Sequence, residues 1–163
     1  LLLILTVVSG FLAFQSRPIA APKGDGYMLV TDLPMESSVQ RFRSPRINQS
    51  VDGHLLTVDN RVYINGIGTH APSTITYTLP EEADSLFLGV GIDGECHENG
   101  QATFIVKLDG DVVWRRSRVR GAQKPYFASI SVQGANVLEL RTDPEGSDHC
   151  DHTDWLNAYV KLR

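Results

Sequence analysis

The chain has 163 residues, 42% of them hydrophobic, with 15 basic and 19 acidic side chains and a formal net charge of −4. That balance excludes the electrostatic footprint of a nucleic-acid binder: the densest cationic stretch, RRSRVR at 115–120, is short and reads as a solvated, strand-like edge. The length that follows the apolar N-terminus suits one domain, large enough to bury a core without extra staples.

Residues 1–14, LLLILTVVSGFLAF, are apolar throughout and show no amphipathic period. They read as the hydrophobic region of a signal peptide or as a membrane anchor, with a buried core helix as the weaker alternative. Either leading reading sends the rest of the chain out of the cytoplasm, secreted or membrane-anchored, and limits membrane contact to this segment. Residues 15–29 are rich in Pro, Ala, Gly and Lys without periodicity, as in a linker. The domain is then expected over 30–163.

Short strands follow, separated by turn residues. RVYING at 61–66 alternates and ends in a turn. STITYTL at 73–79 puts Ile75, Tyr77 and Leu79 on one face and three threonines on the other. SLFLGVGID at 85–93 is nearly continuous in apolar residues, as in a central strand. In ATFIVKLDGDVVWRRS, 102–117, Asp109-Gly110 marks a hairpin between two alternating runs. YFASISV at 126–132 and NVLELRT at 136–142 are joined by Gln133-Gly134-Ala135. WLNAYVKLR closes the chain with Trp155, Ala158, Val160 and Leu162 as candidates for burial. No helix longer than two turns is evident. The pattern predicts an all-β fold, an antiparallel β-sandwich, with a barrel as the alternative.

Three segments concentrate polar groups, each expected at a strand end: GIGTHAPS at 66–73, GIDGECHENG at 91–100 and SDHCDHTDW at 147–155. Loops gathered at one end of a sandwich commonly carry the binding surface. Cys96 and Cys150 lie in polar stretches, which in an oxidising compartment predicts a disulfide; the alternative is two free thiols. A bond would bring the second and third segments together. A structural zinc site fits poorly, because there is no CxxC pair and His149 and His152 are closely spaced. Calcium fits better. Asp143, Glu145, Asp148, Asp151 and Asp154 supply hard oxygen donors, and Asp148 and Asp151 are the candidate ligands of a structural Ca²⁺. Two carboxylates among Asp93, Glu95, Glu98 and Asp154 could serve glycoside hydrolysis, but the domain is small for that task. No GxSxG elbow is present. A sugar site needs an aromatic platform with a few polar partners. Trp155, Asp154 and His152, with His70 from another segment, supply that set; a core position is the competing reading for Trp155.

Four stretches in order resemble the NPCBM family, carbohydrate-binding module family 51. GIGTHAPSTITYTL is similar to its G-x-G-x-H-A-P-S-x-I-x-Y signature. GVGIDGE matches a strand ending G-V-D-x-E, VKLDGDVVWRRS a V-x-x-D-G hairpin, and DHTDWLNA the closing D-H-x-D-W-x-x-A. The resemblance covers roughly residues 30–163. It departs in four places: VYING shuffles the aromatic and the turn, Met35 stands where the family has a tryptophan after a D-L pair, GIDGE has one carboxylate fewer than GVDDE, and Cys96 and Cys150 lie outside the pattern. The resemblance implies a β-sandwich of jelly-roll type that binds a carbohydrate ligand, of galactose-containing glycans by preference, without catalysis of its own. By motif position it implies that His70, Asp93, Glu95, Asp154 and Trp155 line or support the site. A structural or protein-interaction sandwich without sugar binding is the alternative.

Overall fold

Antiparallel pairing organises residues 17–163, which the computed structural model describes. The signal-peptide or anchor reading of residues 1–14 falls outside the described residues, and no described helix is long and apolar enough to cross a membrane. In chain order the strands are β1 (Tyr27–Leu29), β2 (Met35–Gln40), β3 (Arg46–Ile47), β4 (Leu56–Val58), β5 (Arg61–Tyr63), β6 (Gly66–His70), β7 (Ser73–Thr78), β8 (Ala83–Ile92), β9 (Gln101–Leu108), β10 (Asp111–Arg120), β11 (Tyr126–Ser131), β12 (Val137–Pro144) and β13 (His152–Leu162). The helical content described is two short 3₁₀ turns, Val30–Asp32 and Gly94–Cys96.

Two sheets form the sandwich. The first has the order β11-β8-β13-β6-β3, with β1 paired to the far end of β13; the second has the order β10-β9-β12-β7-β2. Side chains alternate across each strand, so every second residue enters the space between the sheets. Leu86, Leu88, Val90 and Ile92 of β8 meet Phe104 and Val106 of β9 and Leu138 and Leu140 of β12 there, all buried in one apolar cluster. The expected strands are present, and RRSRVR lies on β10, an edge strand.

Two expectations need correction. Residues 15–29 were expected as a linker, but the described part packs on the domain. Ile19 bridges to Tyr63, Ala21 is buried, and β1 pairs with β13 from Tyr27 onward. Second, GIGTH and HTDW are strand rather than loop: they are β6 and the start of β13, hydrogen-bonded side by side with His152 opposite His70. Glycine and acidic content lowers strand propensity, and here tertiary pairing overrides it.

Those glycines have a packing reason. The β4–β5 hairpin and the segment before it lie on the outer face of the first sheet, as a partial third layer. Gly66 and Gly89 flank Leu156 in register, and Gly68 and Gly91 flank Asp154. A Cβ on Gly68 would stand 2.3 Å from the Gln49 carbonyl oxygen, and one on Gly91 2.5 Å from Val58 Cγ1. The covering layer therefore rests on bare backbone. Leu56, Val58 and Tyr63 close against Leu156 in a second, smaller apolar cluster.

Gly68→Ala should destabilise the protein by about 3 kcal/mol or more, since backbone must yield. Gly94→Ala, where the nearest atom would be 3.5 Å away, should stay within about 0.5 kcal/mol. Denaturant unfolding of the two variants checks the contrast.

Candidate functional site

The outer face of the first sheet carries the polar residues at one end. On β13, Thr153 and Trp155 point inward, while His152, Asp154 and Leu156 point outward beneath the covering layer. Trp155 is fully buried, with its ring 5.1 Å from that of Phe104 at 82°. It offers no surface to a ligand, which corrects its placement as a sugar-lining residue. The physical reason is the period of two: with His152 outward, Trp155 must face the core.

Asp154 and Asp93 sit below the covering layer, each about 1% exposed. Asp93 accepts the backbone N–H groups of Thr57 and Glu95, both at 2.9 Å. No N–H or hydroxyl group of the described residues reaches either Asp154 oxygen. Burial, and then the Asp93 charge, push the Asp154 carboxyl well above the usual range. Two neighbouring carboxyls buried together disfavour a second negative charge there. These residues support the site from below and cannot line it.

Glu95 joins three parts of the chain. Its carboxylate accepts from His152 Nδ1 at 2.6 Å, from His54 Nδ1 at 2.8 Å and from the Ser50 hydroxyl. Burial alone would raise its pKa, but these hydrogen bonds outweigh that and hold it at about 2. The same contact raises the pKa of His152 above its ordinary value, against the opposing effect of burial. His70 is lowered instead, first by burial and then by the neighbouring His152 charge, although its bond to the Ala71 carbonyl works the other way.

His70 and His152 open into a cleft of about 490 Å³, with Arg41, Phe42, Asp52 and Asp148 around it and the Cys96–Cys150 disulfide on its rim. The disulfide, expected from the sequence, joins the segments after β8 and before β13, with Cα atoms 5.8 Å apart. The Phe42 ring lies 5.0 Å from His70 and 6.4 Å from His152, nearly parallel to the latter, and the two imidazoles are 5.4 Å apart. Arg41 bridges to Asp148 at 3.0 Å, and Arg43 to Asp52 at 2.9 Å. Of the five expected site residues, His70 alone lines the cleft. Glu95 orients its neighbour, and Asp93, Asp154 and Trp155 lie beneath. Arg41, Phe42 and Asp52 carried no motif. His152, grouped with His70 in the sequence, is its cross-strand partner and lines the cleft beside it.

Calcium takes six to eight converging oxygens, and the side chains of Asp148 and Asp151 are engaged separately. Asp148 turns to Arg41, while Asp151 accepts the Gln101 N–H at 2.7 Å, its other oxygen buried without a partner. Among the described residues the groups that converge are Asp52, Glu95 and His152, a mixed set already engaged in hydrogen bonds and ion pairs.

Sandwich and cleft define a class: a small β-sandwich module whose polar cleft opens at the end of one sheet, under a loop-and-hairpin cover. The chain belongs to the NPCBM/NEW2 domain family, which matches residues 26–161. It is similar to alpha-1,3-galactosidase B of Akkermansia muciniphila, 30% identical over 151 residues, covering 90% of this chain but 19% of that enzyme. In structure it is similar to the CBM51 from Clostridium perfringens GH95 in complex with methyl-galactose. The TM-score is 0.77 at 26% identity, over 83% of this chain and 99% of that one. CBM51-2 of Clostridium perfringens ZmpB, solved with GlcNAc, gives the same TM-score and identity over 83% of this chain and 31% of that one.

Asp151 gives a pH prediction. Burial, with a smaller push from Asp148, raises its pKa from 3.8 to about 6. The folded state therefore favours the neutral acid, and stability present below about pH 4 is lost as pH rises through about 6. Asp151→Asn keeps the acceptor for Gln101. It should gain roughly 1–2 kcal/mol over the parent above pH 6, after allowance for nearby solvent, with the gap closing toward pH 4. Thermal unfolding across that range is the measurement.

Proposed function

We propose that the chain is a non-catalytic carbohydrate-binding module that works outside the cytoplasm, and that its cleft takes a terminal galactose-type sugar. The observation that carries this reading is the meeting of an aromatic ring with two imidazoles at one opening. Phe42, 40% exposed, offers apolar ring surface for the C–H side of a pyranose, with the Arg43 guanidinium 5.1 Å from its ring centre. His70 and His152 stand beside it as hydrogen-bonding partners, with Asp52 and the Arg41–Asp148 pair at the edge. The cleft has the volume of a small-ligand site. A relative of the same fold has been solved with methyl-galactose. Asp93 and Asp154, two of the carboxylates a hydrolase would need, are sealed under the covering layer. The disulfide suits an oxidising compartment.

A structural or protein-interaction sandwich is the second reading. In its favour, neither tryptophan lines the cleft: Trp155 is in the core, and Trp114 packs against it.

Glycan-array screening of the purified chain separates the two. Galactose-terminated glycans should be retained, with binding weakened about tenfold or more by Phe42→Ala and by His152→Ala. A folded chain that retains no glycan supports the second reading.

A further inference from the structure

The two cleft histidines are not equivalent, and their hydrogen bonds fix how they differ. A neutral imidazole has one donor nitrogen and one acceptor nitrogen, and a partner that only accepts decides which is which. His70 Nδ1 lies 2.8 Å from the Ala71 carbonyl oxygen, so Nδ1 bears the hydrogen and Nε2 is left as an acceptor. His152 Nδ1 lies 2.6 Å from a Glu95 carboxylate oxygen, so it too bears hydrogen there. Neither Nε2 has a hydrogen-bond partner among the described residues. The character of His152 Nε2 depends on whether the ring carries a second proton: with it, Nε2 donates; without it, Nε2 accepts.

We propose that His152 in its doubly protonated form and neutral His70 act together as a donor–acceptor pair for two adjacent sugar hydroxyls, so that the cleft binds while His152 is charged and weakens when it loses that proton. The proposal rests on the carbohydrate reading of the cleft given above. Every hydroxyl can donate and accept, so a vicinal pair can give a hydrogen to His70 Nε2 and take one from His152 Nε2. With both rings neutral the cleft presents two acceptors. The charge-assisted bond, the stronger of the two, is then gone.

The surroundings favour this division. Facing His152 are Glu95 and Asp93 from the segment after β8 and Asp52 from the covering layer, with Asp52 Oδ2 4.0 Å from Nδ1; all three stabilise the cation. Opposite stands His70 on β6, whose ring the His152 charge helps to keep neutral. Asp148, before β13, and Asp52 also face His70 and act the other way, Asp148 while paired with Arg41. His54 reaches Glu95 from the solvent side rather than the cleft histidines.

The test is calorimetric titration of the chain with methyl galactoside from pH 5 to 9, alongside an NMR titration of the histidine rings. Affinity should be highest while His152 is charged and His70 neutral, and fall about tenfold as His152 deprotonates above its ordinary 6.5. Glu95→Gln should move both the fall and the His152 resonance to lower pH together. NMR should show the His70 hydrogen on Nδ1 throughout. Affinity that stays level while His152 titrates overturns the proposal and leaves sugar binding intact. A fall that vanishes in Asp151→Asn assigns the pH dependence to that carboxyl and also overturns it. Absence of binding at every pH overturns the carbohydrate reading and the proposal with it.

Discussion

The Glu95 carboxylate holds three separate stretches of chain at one point, through Ser50 and His54 of the covering layer and His152 of β13. A buried carboxylate without partners would be costly, and one that accepts several hydrogen bonds at once becomes a fixed anion. That anion does two jobs. It ties the cover to the sheet, and it sets the orientation and the charge of the imidazole that faces the cleft. Positioning and electrostatics are therefore one interaction here, and the cleft depends on it.

The cover can reach Glu95 because the sheet beneath it has almost no side chains. Gly66, Gly68, Gly89 and Gly91 stand on either side of Leu156 and Asp154; the segment 49–58 fills the space over Gly66, Gly68 and Gly91, and Phe127 that over Gly89. Close approach buries Asp154 and Asp93, and burial pushes both carboxyls above their ordinary range. The disulfide closes the same corner from the other side and brings the rim of the cleft to the ends of β8 and β13. Glycine seat, buried carboxyl pair, Glu95 anchor and disulfide meet where a third layer packs on one face of a two-sheet sandwich.

Much of this was legible in the residue pattern. The alternation in STITYTL, the Asp109-Gly110 turn and the apolar run 85–93 give β7, the β9–β10 hairpin and β8 with few errors in extent. The pairing of the two cysteines follows from their number and polar setting. His70 was identified by motif and does line the cleft. The cleft's other wall was not legible. Arg41, Phe42 and Asp52 sit in irregular chain with no periodicity to mark them, and long-range packing that no local signal announces brings them to the histidines.

Local alternation determines which residues can share a face, because successive side chains of a strand must point to opposite sides. It thus assigns Trp155 and Asp154 to opposite faces, and Asp154 to the same face as His152. It does not say which face is the core, since both carry buried residues. That was decided by the covering layer: once the segment 49–63 packs over glycine, the outer face has its own dry interior, Trp155 belongs to the space between the sheets, and His152 emerges at the open end beside His70. Long-range packing sets which side chains lose water, and loss of water sets both their protonation and their role.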